Sequence, residues 1–162
     1  MRKDAAALVA EGLKAAGIET IVVLSESWLF EVHRLIEADP FFTVIPVANE
    51  GDGVSICAGM WLGGKRCAIL MENSGLRVAC EALARLQGLP VLLLMSYRGD
   101  WGDPPWWAAS MGATTEPILK ALRIPYTVVR RDNDIVRKLK QAVNSQNAYR
   151  SHVALVFGGE LM

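Results

Sequence analysis

Short apolar runs alternate with segments of helical hydrophobic period along the whole 162-residue sequence. The runs are rich in valine, isoleucine and leucine without polar alternation, which is typical of strands that are buried on both faces. The segments between them have the length of crossover helices. Because strands that alternate with helices form right-handed βαβ units, we predict an α/β fold, namely a three-layer doubly wound sandwich with about six mostly parallel strands.

The predicted elements follow one another without an internal repeat or a linker, so we predict one domain over residues 1–162. The predicted strands are residues 21–24, 43–47, 67–71, 91–95, 126–129 and 153–157. The predicted helices begin near Asp4, Leu29, Glu50, Gly75, Thr115 and Asn133 and end, in the same order, near Gly17, Ala38, Gly63, Gln87, Leu122 and Asn144.

Charge and cysteine content exclude several classes of protein. Lys and Arg number 17 and balance 17 Asp and Glu residues, which argues against binding to nucleic acid or an acidic membrane through bulk charge. No apolar run reaches the ~18 residues of a membrane span, and the first residues lack the apolar core of a signal peptide. The 3 cysteines form no Cys-x-x-Cys pair, so neither a disulfide scaffold nor a zinc site is indicated. We expect a cytoplasmic protein, and its hydrophobic content of 52% favours association with another chain.

One connection is unusually long for a compact domain. Residues 96–112 show no helical or strand period and follow the most apolar predicted strand. They contain Trp101, Trp106 and Trp107, out of 5 tryptophans in the chain. Long loops beyond the carboxyl ends of strands are often functional. Two interpretations stay open: the tryptophans fold onto their own domain, or the loop covers a ligand or meets a partner.

Glu50 is the candidate for proton chemistry. It lies between an apolar predicted strand and a predicted helix of small residues. One interpretation is an N-terminal cap that the helix dipole stabilises. The other is a carboxylate in apolar surroundings that exchanges a proton with a ligand. The two histidines do not compete for this role, because His33 is interpreted as a surface residue and His152 as a structural one.

Asn73, Ser74 and Gly75 lie where a predicted strand meets the start of a helix. Free backbone N–H groups and short polar side chains there could hold a polar ligand, or Asn73 or Ser74 caps the helix. Residues 59–65 look superficially like a phosphate-binding loop. Their lysine ends a helix instead of starting one, however, so that interpretation is rejected.

Several short segments together resemble a known family. In order and spacing they are similar to the pyrimidine-binding domain of thiamine-diphosphate enzymes, and within these to the sulfopyruvate and phosphonopyruvate decarboxylases. The principal segments are Ala48-Asn49-Glu50-Gly51, Ser55-Ile56-Cys57-Ala58-Gly59, Gly63-Gly64-Lys65 and Glu72-Asn73-Ser74-Gly75-Leu76. The supporting segments are Ser27-Trp28-Leu29, Ser96-Tyr97-Arg98-Gly99, Met111-Gly112 and Leu122-Arg123-Ile124-Pro125-Tyr126.

The resemblance implies roles for individual residues around the cofactor. In this family a glutamate at the position of Glu50 hydrogen-bonds N1′ of the cofactor's aminopyrimidine, so Glu50 is the expected catalytic residue. The other expected cofactor-binding residues share the turn after the third strand and would line the pyrimidine side of the cleft. They are Asn73, Ser74, Gly75 and Leu76.

Substrate recognition is expected at Ser27 and Arg98. An arginine suits a sulfonate or phosphonate because it forms paired hydrogen bonds to such oxyanions. Tyr97 stands where sulfopyruvate decarboxylases usually carry histidine, and Trp106 and Trp107 make the following segment more aromatic than the family pattern. These departures leave room for a larger or more apolar 2-oxo acid.

The metal and diphosphate half of such an enzyme is expected on another polypeptide. Gly51-Asp52-Gly53 copies the start of the family's motif for Mg²⁺ and diphosphate, but it lies inside the helix that Glu50 begins, and no Asn-Asn pair follows at the right distance. The resemblance therefore implies a separate β subunit that binds Mg²⁺ and the diphosphate. No metal ligand is expected in this chain, which should be inactive alone.

The resulting expectation is the α subunit of a two-chain thiamine-diphosphate-dependent decarboxylase that converts 3-sulfopyruvate or phosphonopyruvate to an aldehyde and CO₂. Two alternatives stay open. One is the same cofactor acting on an aromatic or apolar 2-oxo acid, or in carboligation. The other is a non-catalytic α/β binding or regulatory module.

Overall fold

A computed structural model describes residues 1–162 as an α/β sandwich with a single sheet. The strands are β1 (Thr20–Val23), β2 (Thr43–Pro46), β3 (Cys67–Glu72), β4 (Leu92–Ser96), β5 (Tyr126–Val129) and β6 (Val153–Phe157). The helices are α1 (Lys3–Ala15), α2 (Phe30–Glu37), α3 (Glu50–Leu62), α4 (Gly75–Val78), α5 (Cys80–Arg85), α6 (Ala109–Ala121) and α7 (Ile135–Tyr149). Single 3₁₀ turns cover Trp106–Ala108, Asp132–Asp134 and Gly159–Leu161.

The six strands are all parallel and lie in the order β2-β1-β3-β4-β6-β5. The predicted α/β fold with six parallel strands is therefore confirmed. The chain reverses its direction of travel across the sheet after β2, and β6 lies between β4 and β5. In sheets of this kind the carboxyl ends of neighbouring strands meet at one edge, where ligands are usually bound.

Each face of the sheet carries its own hydrophobic core. Leu92 and Leu94 of β4 pack with α1, α2 and α7, whereas Leu93 and Met95 pack with the helices from α3 to α6. Because successive residues point alternately into the two cores, both sides of every central strand are buried. The sequences of these strands therefore do not alternate between apolar and polar residues. His152 lies in the buried region, accepts a hydrogen bond from the Val91 N–H at 3.2 Å and lies 3.1 Å from the Leu83 carbonyl oxygen. Its predicted structural role is confirmed.

Three predicted elements differ from the structure. The last helix, α7, ends at Tyr149 and not near Asn144, because its helical backbone continues until Arg150 adopts a left-handed conformation. The predicted helix from Gly75 is two helices, α4 and α5, because the backbone at Ala79 has ψ near zero (−4°) and interrupts the helical bonding. The stretch without period is shorter than predicted, because α6 begins at Ala109 and already contains Gly112.

The early start of α6 depends on a tertiary contact. A Cβ at Gly112 would collide with the carbonyl of Gly99, and one at Gly99 with the carbonyl of Ala108. Gly99 also has a positive φ of 76°, which favours glycine. The loop after β4 is thus held directly against the first turn of α6. None of the helices combines the length and the apolar character that crossing a bilayer demands.

Candidate functional site

The carboxyl edge of the sheet gathers the residues that the sequence singled out. Ser27 follows β1, Glu50 follows β2, residues 73–76 follow β3, and Arg98 follows β4. Because β2, β1, β3 and β4 are consecutive in the sheet, these four connections are neighbours. The predicted site residues therefore lie along one edge, although they differ in what their side chains contact.

Glu50 is the first residue of α3, but it does not cap the helix. The side chain of Asn49 does so, since its Oδ1 accepts hydrogen bonds from the N–H groups of Gly51 at 2.8 Å and Asp52 at 3.3 Å. Glu50 itself is buried, with 9% of its surface exposed. Its carboxylate makes no hydrogen bond or ion pair within the chain. Neither of its oxygens is among the fully buried unpaired atoms, so the carboxylate is open to the site and is suited to bind an external polar group.

Gly75 lies directly against the side chain of Glu50. A Cβ at Gly75 would stand 2.5 Å from both Cγ and Oε1 of Glu50, closer than any real contact. Only a glycine allows the start of α4 to approach this carboxylate. The predicted proximity of Glu50 and the turn after β3 is thus realised through backbone contact.

The other residues of this turn are engaged inside the chain. Asn73 Nδ2 donates to the carbonyl of Arg98 and to Oγ1 of Thr115, both at 2.8 Å, and its Oδ1 accepts from the Arg98 N–H at 3.0 Å. The Ser74 hydroxyl donates to Glu72 at 2.6 Å. Neither Asn73 nor Ser74 uses its side chain to cap α4. Leu76 is fully buried in the core between α4 and the sheet.

The two predicted substrate residues differ in exposure. Ser27 is exposed in the turn after β1. Arg98 is 6% exposed and lies between the ring faces of Trp28 and Trp107, with its Cζ at 4.7 and 4.6 Å from the two ring centroids. Its Nε donates to Asp103 at 2.9 Å, and its Nη1 lies 3.9 Å from Glu72.

The sequence left two interpretations open for the tryptophans of the long loop, and each applies to some of them. Trp107 folds back onto Arg98. Trp101 and Trp106 point outward, with 98% and 87% of their surface exposed. The loop thus folds partly onto its own domain and partly presents aromatic side chains to the surroundings.

Sequence reasoning missed Glu26, a partly buried carboxylate beside this site. Its two oxygens accept the N–H groups of Trp28 at 2.6 Å and Leu29 at 2.7 Å, so Glu26 shapes the turn that carries Ser27. Burial raises the pKa of Glu26 despite these hydrogen bonds. Glu26 stands four residues before α2 begins at Phe30. An acidic residue close before a helix start was the available signal, since it can interact with the free N–H groups there.

The side chain of Tyr97 contacts α6 and makes no hydrogen bond to Glu50. Its hydroxyl donates to Glu116 of α6 at 3.0 Å, and Glu116 also accepts from Tyr126 at 2.5 Å. The bond to Tyr126 is the main cause that lowers the pKa of Glu116. Burial and the same carboxylate raise the pKa of Tyr97 well above its ordinary value. Glu116 therefore ties α6 to β5 through Tyr126 and to the end of β4 through Tyr97.

Replacing Tyr126 by phenylalanine should reveal this network in alkaline solution. The hydrogen bond to Glu116 raises the pKa of Tyr126 to about 12 in the folded chain, against about 10 when unfolded. Because the pKa of Tyr126 is higher in the folded chain, its hydrogen bond contributes fully to stability at pH values below the unfolded pKa. This contribution is lost as the pH rises toward the folded pKa. We expect the wild type to exceed Tyr126→Phe in free energy of unfolding by a constant amount up to about pH 10, with a shrinking difference above it. Urea unfolding across this range measures it, and a difference that grows with pH would contradict the assignment.

A scan against protein-family profiles gives no match. Individual curated proteins do match. The chain is 36% identical to the sulfopyruvate decarboxylase subunit alpha of Methanothermobacter thermautotrophicus over 133 residues, which cover 80% of this chain and 81% of that protein. It is 28% identical to the phosphonopyruvate decarboxylase of Streptomyces viridochromogenes, over 90% of this chain but only 38% of that longer protein.

Among solved structures, the chain superposes on a 2-oxoglutarate:ferredoxin oxidoreductase of Magnetococcus marinus with a TM-score of 0.72. The match covers 99% of this chain and 29% of the larger one, at 16% identity. At that identity the likeness concerns the fold alone.

Proposed function

The chain belongs to the family of sulfopyruvate decarboxylase alpha subunits, and from this premise we propose that it is the pyrimidine-binding subunit of a two-chain thiamine-diphosphate-dependent 2-oxo acid decarboxylase. The proposed substrate is 3-sulfopyruvate or phosphonopyruvate, the acids in the names of its relatives. The observation that carries the proposal is Glu50, a mostly buried residue whose carboxylate is free of internal partners and bordered by Gly75.

The residues at this edge fit the pyrimidine half of the cofactor. A ring nitrogen has to meet a carboxylate at a defined place, and Gly75 lets the Glu50 side chain lie directly against the start of α4. A ring nitrogen needs a hydrogen-bonding partner that no protein group already occupies, and the Glu50 carboxylate meets this condition. Glu50 and Gly75 would therefore hold the ring, and the other predicted cofactor residues, Asn73, Ser74 and Leu76, would shape the turn that contains Gly75.

The contribution of this chain to catalysis is proton transfer and positioning. When bound, thiamine diphosphate supplies the electron sink for the pair released as a 2-oxo acid loses CO₂. Glu50 would hold a proton between its carboxylate and the ring nitrogen. Such a shared proton is effective because its geometry is fixed, and the close approach of Gly75 fixes it here. Ser27, exposed at the neighbouring strand end, stays a predicted substrate residue.

We propose that a separate β subunit binds Mg²⁺ and the diphosphate. The chain spans only 38% of the length of the phosphonopyruvate decarboxylase relative, which fits this division. The name of the first relative, a subunit alpha, supports it as well. The three cysteines are free thiols, as is typical of the reducing cytoplasm where we propose that the complex works.

Decarboxylation of an aromatic or apolar 2-oxo acid is the second candidate function. Two carboxylates already surround the guanidinium of Arg98, which weakens its attraction for a substrate anion. The centroids of two indole rings lie 4.7 and 4.6 Å from its Cζ. This arrangement favours a substrate whose side chain is apolar.

The deciding experiment measures CO₂ release by the chain co-purified with its β subunit, in the presence of thiamine diphosphate and Mg²⁺. We expect turnover of 3-sulfopyruvate or phosphonopyruvate by the complex and none by either chain alone. A preference for phenylpyruvate would select the second candidate. A stable complex that binds the cofactor but releases no CO₂ from any of these acids would overturn the decarboxylase assignment.

A further inference from the structure

The Arg98 guanidinium lies over two aromatic rings. Trp28 comes from the turn after β1 and Trp107 from the 3₁₀ turn before α6, at 4.7 and 4.6 Å from Cζ. A cation between two indole faces is attracted by both ring quadrupoles. Arg98 thus joins two segments that have no strand or helix in common.

The edge of the guanidinium is also occupied. Nε donates to Oδ2 of Asp103 at 2.9 Å, and the same oxygen accepts the N–H of Gly99 at 2.8 Å. Nη1 lies 3.9 Å from Oε2 of Glu72. One positive charge is therefore set against two carboxylates, and the Arg98 side chain is only 8% exposed. A sulfonate or phosphonate approaching this place would meet a cation that is already balanced.

The backbone of Arg98 is fixed as firmly as its side chain. The amide of Asn73 pairs with both the N–H and the carbonyl of Arg98 and extends the contact to Thr115 of α6. The next residue, Gly99, packs against Gly112 without room for a Cβ. Together, the contacts of Arg98 with Trp28, with Glu72 and Asn73, and with its own loop link the connections after β1, β3 and β4.

We propose that Arg98 is a positioning residue whose guanidinium, clamped between Trp28 and Trp107, fixes the substrate side of the site and does not itself receive the substrate's anionic group. This inference rests on the proposed function for its catalytic consequence, but the clamp itself belongs to the isolated chain. It predicts that the charge of Arg98 matters less than its planar shape. Lysine keeps the charge but lacks the flat, forked group that stacks and pairs with Asp103.

The kinetic test uses Arg98→Lys and Arg98→Met in the assembled two-chain complex, with 3-sulfopyruvate and pyruvate as substrates. Pyruvate lacks the sulfonate, so the ratio of the two kcat/KM values reports recognition of that group. We expect both variants to lose ~10- to 100-fold in kcat/KM on both acids, since misplaced groups cost that much, with the ratio within about threefold of the wild type. If Arg98→Lys stays near the wild type while Arg98→Met loses only the turnover of 3-sulfopyruvate, Arg98 is an anion receptor and the proposal falls.

A spectroscopic measurement tests the clamp independently of the decarboxylase assignment. Near-ultraviolet circular dichroism of the full chain reports tryptophans in fixed surroundings. Arg98→Lys and Trp107→Leu should each reduce the tryptophan bands, and Trp107→Phe should preserve more of the native urea midpoint than Trp107→Leu. Trp106→Leu is the matched control, because Trp106 is 87% exposed and does not stack on Arg98. Unchanged bands in Arg98→Lys would refute the clamp. Failure of the wild-type complex to release CO₂ would refute only the proposed function.

Discussion

Replacing Glu50 by glutamine is expected to lower CO₂ release by the assembled complex ~100- to 10,000-fold, the usual contribution of a positioned proton donor or acceptor. Glutamine keeps the shape of the side chain but cannot hold or release a proton at its amide oxygen. The Glu50 carboxylate has no partner within the chain, so no internal hydrogen bond is lost. We therefore expect the urea midpoint of the isolated chain to stay unchanged while kcat collapses.

Asp52→Asn is the matched control for this experiment. Asp52 stands two residues further along α3, is exposed, and offers only its backbone N–H to the Asn49 cap. The same change of carboxylate to amide there should leave turnover within about threefold of the wild type, because surface substitutions of this kind have small effects. If Glu50→Gln retained more than about a tenth of the activity, far above the loss expected for proton chemistry, the non-catalytic interpretation of Glu50 would be favoured.

Replacing Gly75 by alanine should have an effect of similar size through packing alone. The new methyl group would stand 2.5 Å from Cγ and Oε1 of Glu50 and 2.7 Å from its Cδ, so the carboxylate must leave its position. A shift of about 1 Å at a reacting group commonly costs ~100-fold in rate. We expect a loss of that order in kcat/KM of the complex, together with weaker binding of thiamine diphosphate, which calorimetry on the complex would measure.

Gly59→Ala separates this effect from that of adding a methyl group to any helix. Gly59 lies in α3, and a Cβ there meets nothing within 4 Å. Alanine in a helix interior should raise the free energy of unfolding by about 0.5–1 kcal/mol, with normal turnover. Full activity in Gly75→Ala would show that the position of the Glu50 carboxylate does not limit the reaction.

The strands of the sheet were predictable because each is specified by the pattern of its own neighbouring residues. Runs such as residues 91–95 are apolar on both faces, and the structure buries both faces of β4 between two cores. The break at Ala79 was not predictable, since the helical period continues through it and only the backbone angle changes. The start of α6 was not predictable for a different reason. Gly112 disfavours a helix locally, and the need for a glycine at this position is seen only in the fold, where Gly99 packs against it.

The candidate site was predictable in position but not in detail. Glu50 could be located because a carboxylate between an apolar run and a helix of small residues stands out in the sequence. The role of Asn73 could not be found, because its partners Arg98 and Thr115 lie 25 and 42 residues further along the chain. The Arg98 clamp is equally non-local. An arginine after a strand suggested an anion receptor, and only the fold shows which rings cover it.

The strand order also constrains how the polypeptide acquires its structure during synthesis. β6 occupies the place between β4 and β5, although all other strands precede it in the chain. A nascent chain that has emerged through β5 therefore carries an open slot beside β4, whose apolar edge has no partner. Such long-range parallel pairings form slowly and leave the intermediate prone to aggregation. We expect nascent chains stalled before residue 153 to require chaperones, and the stretch that contains Arg98 to become protease-resistant only once β6 has emerged.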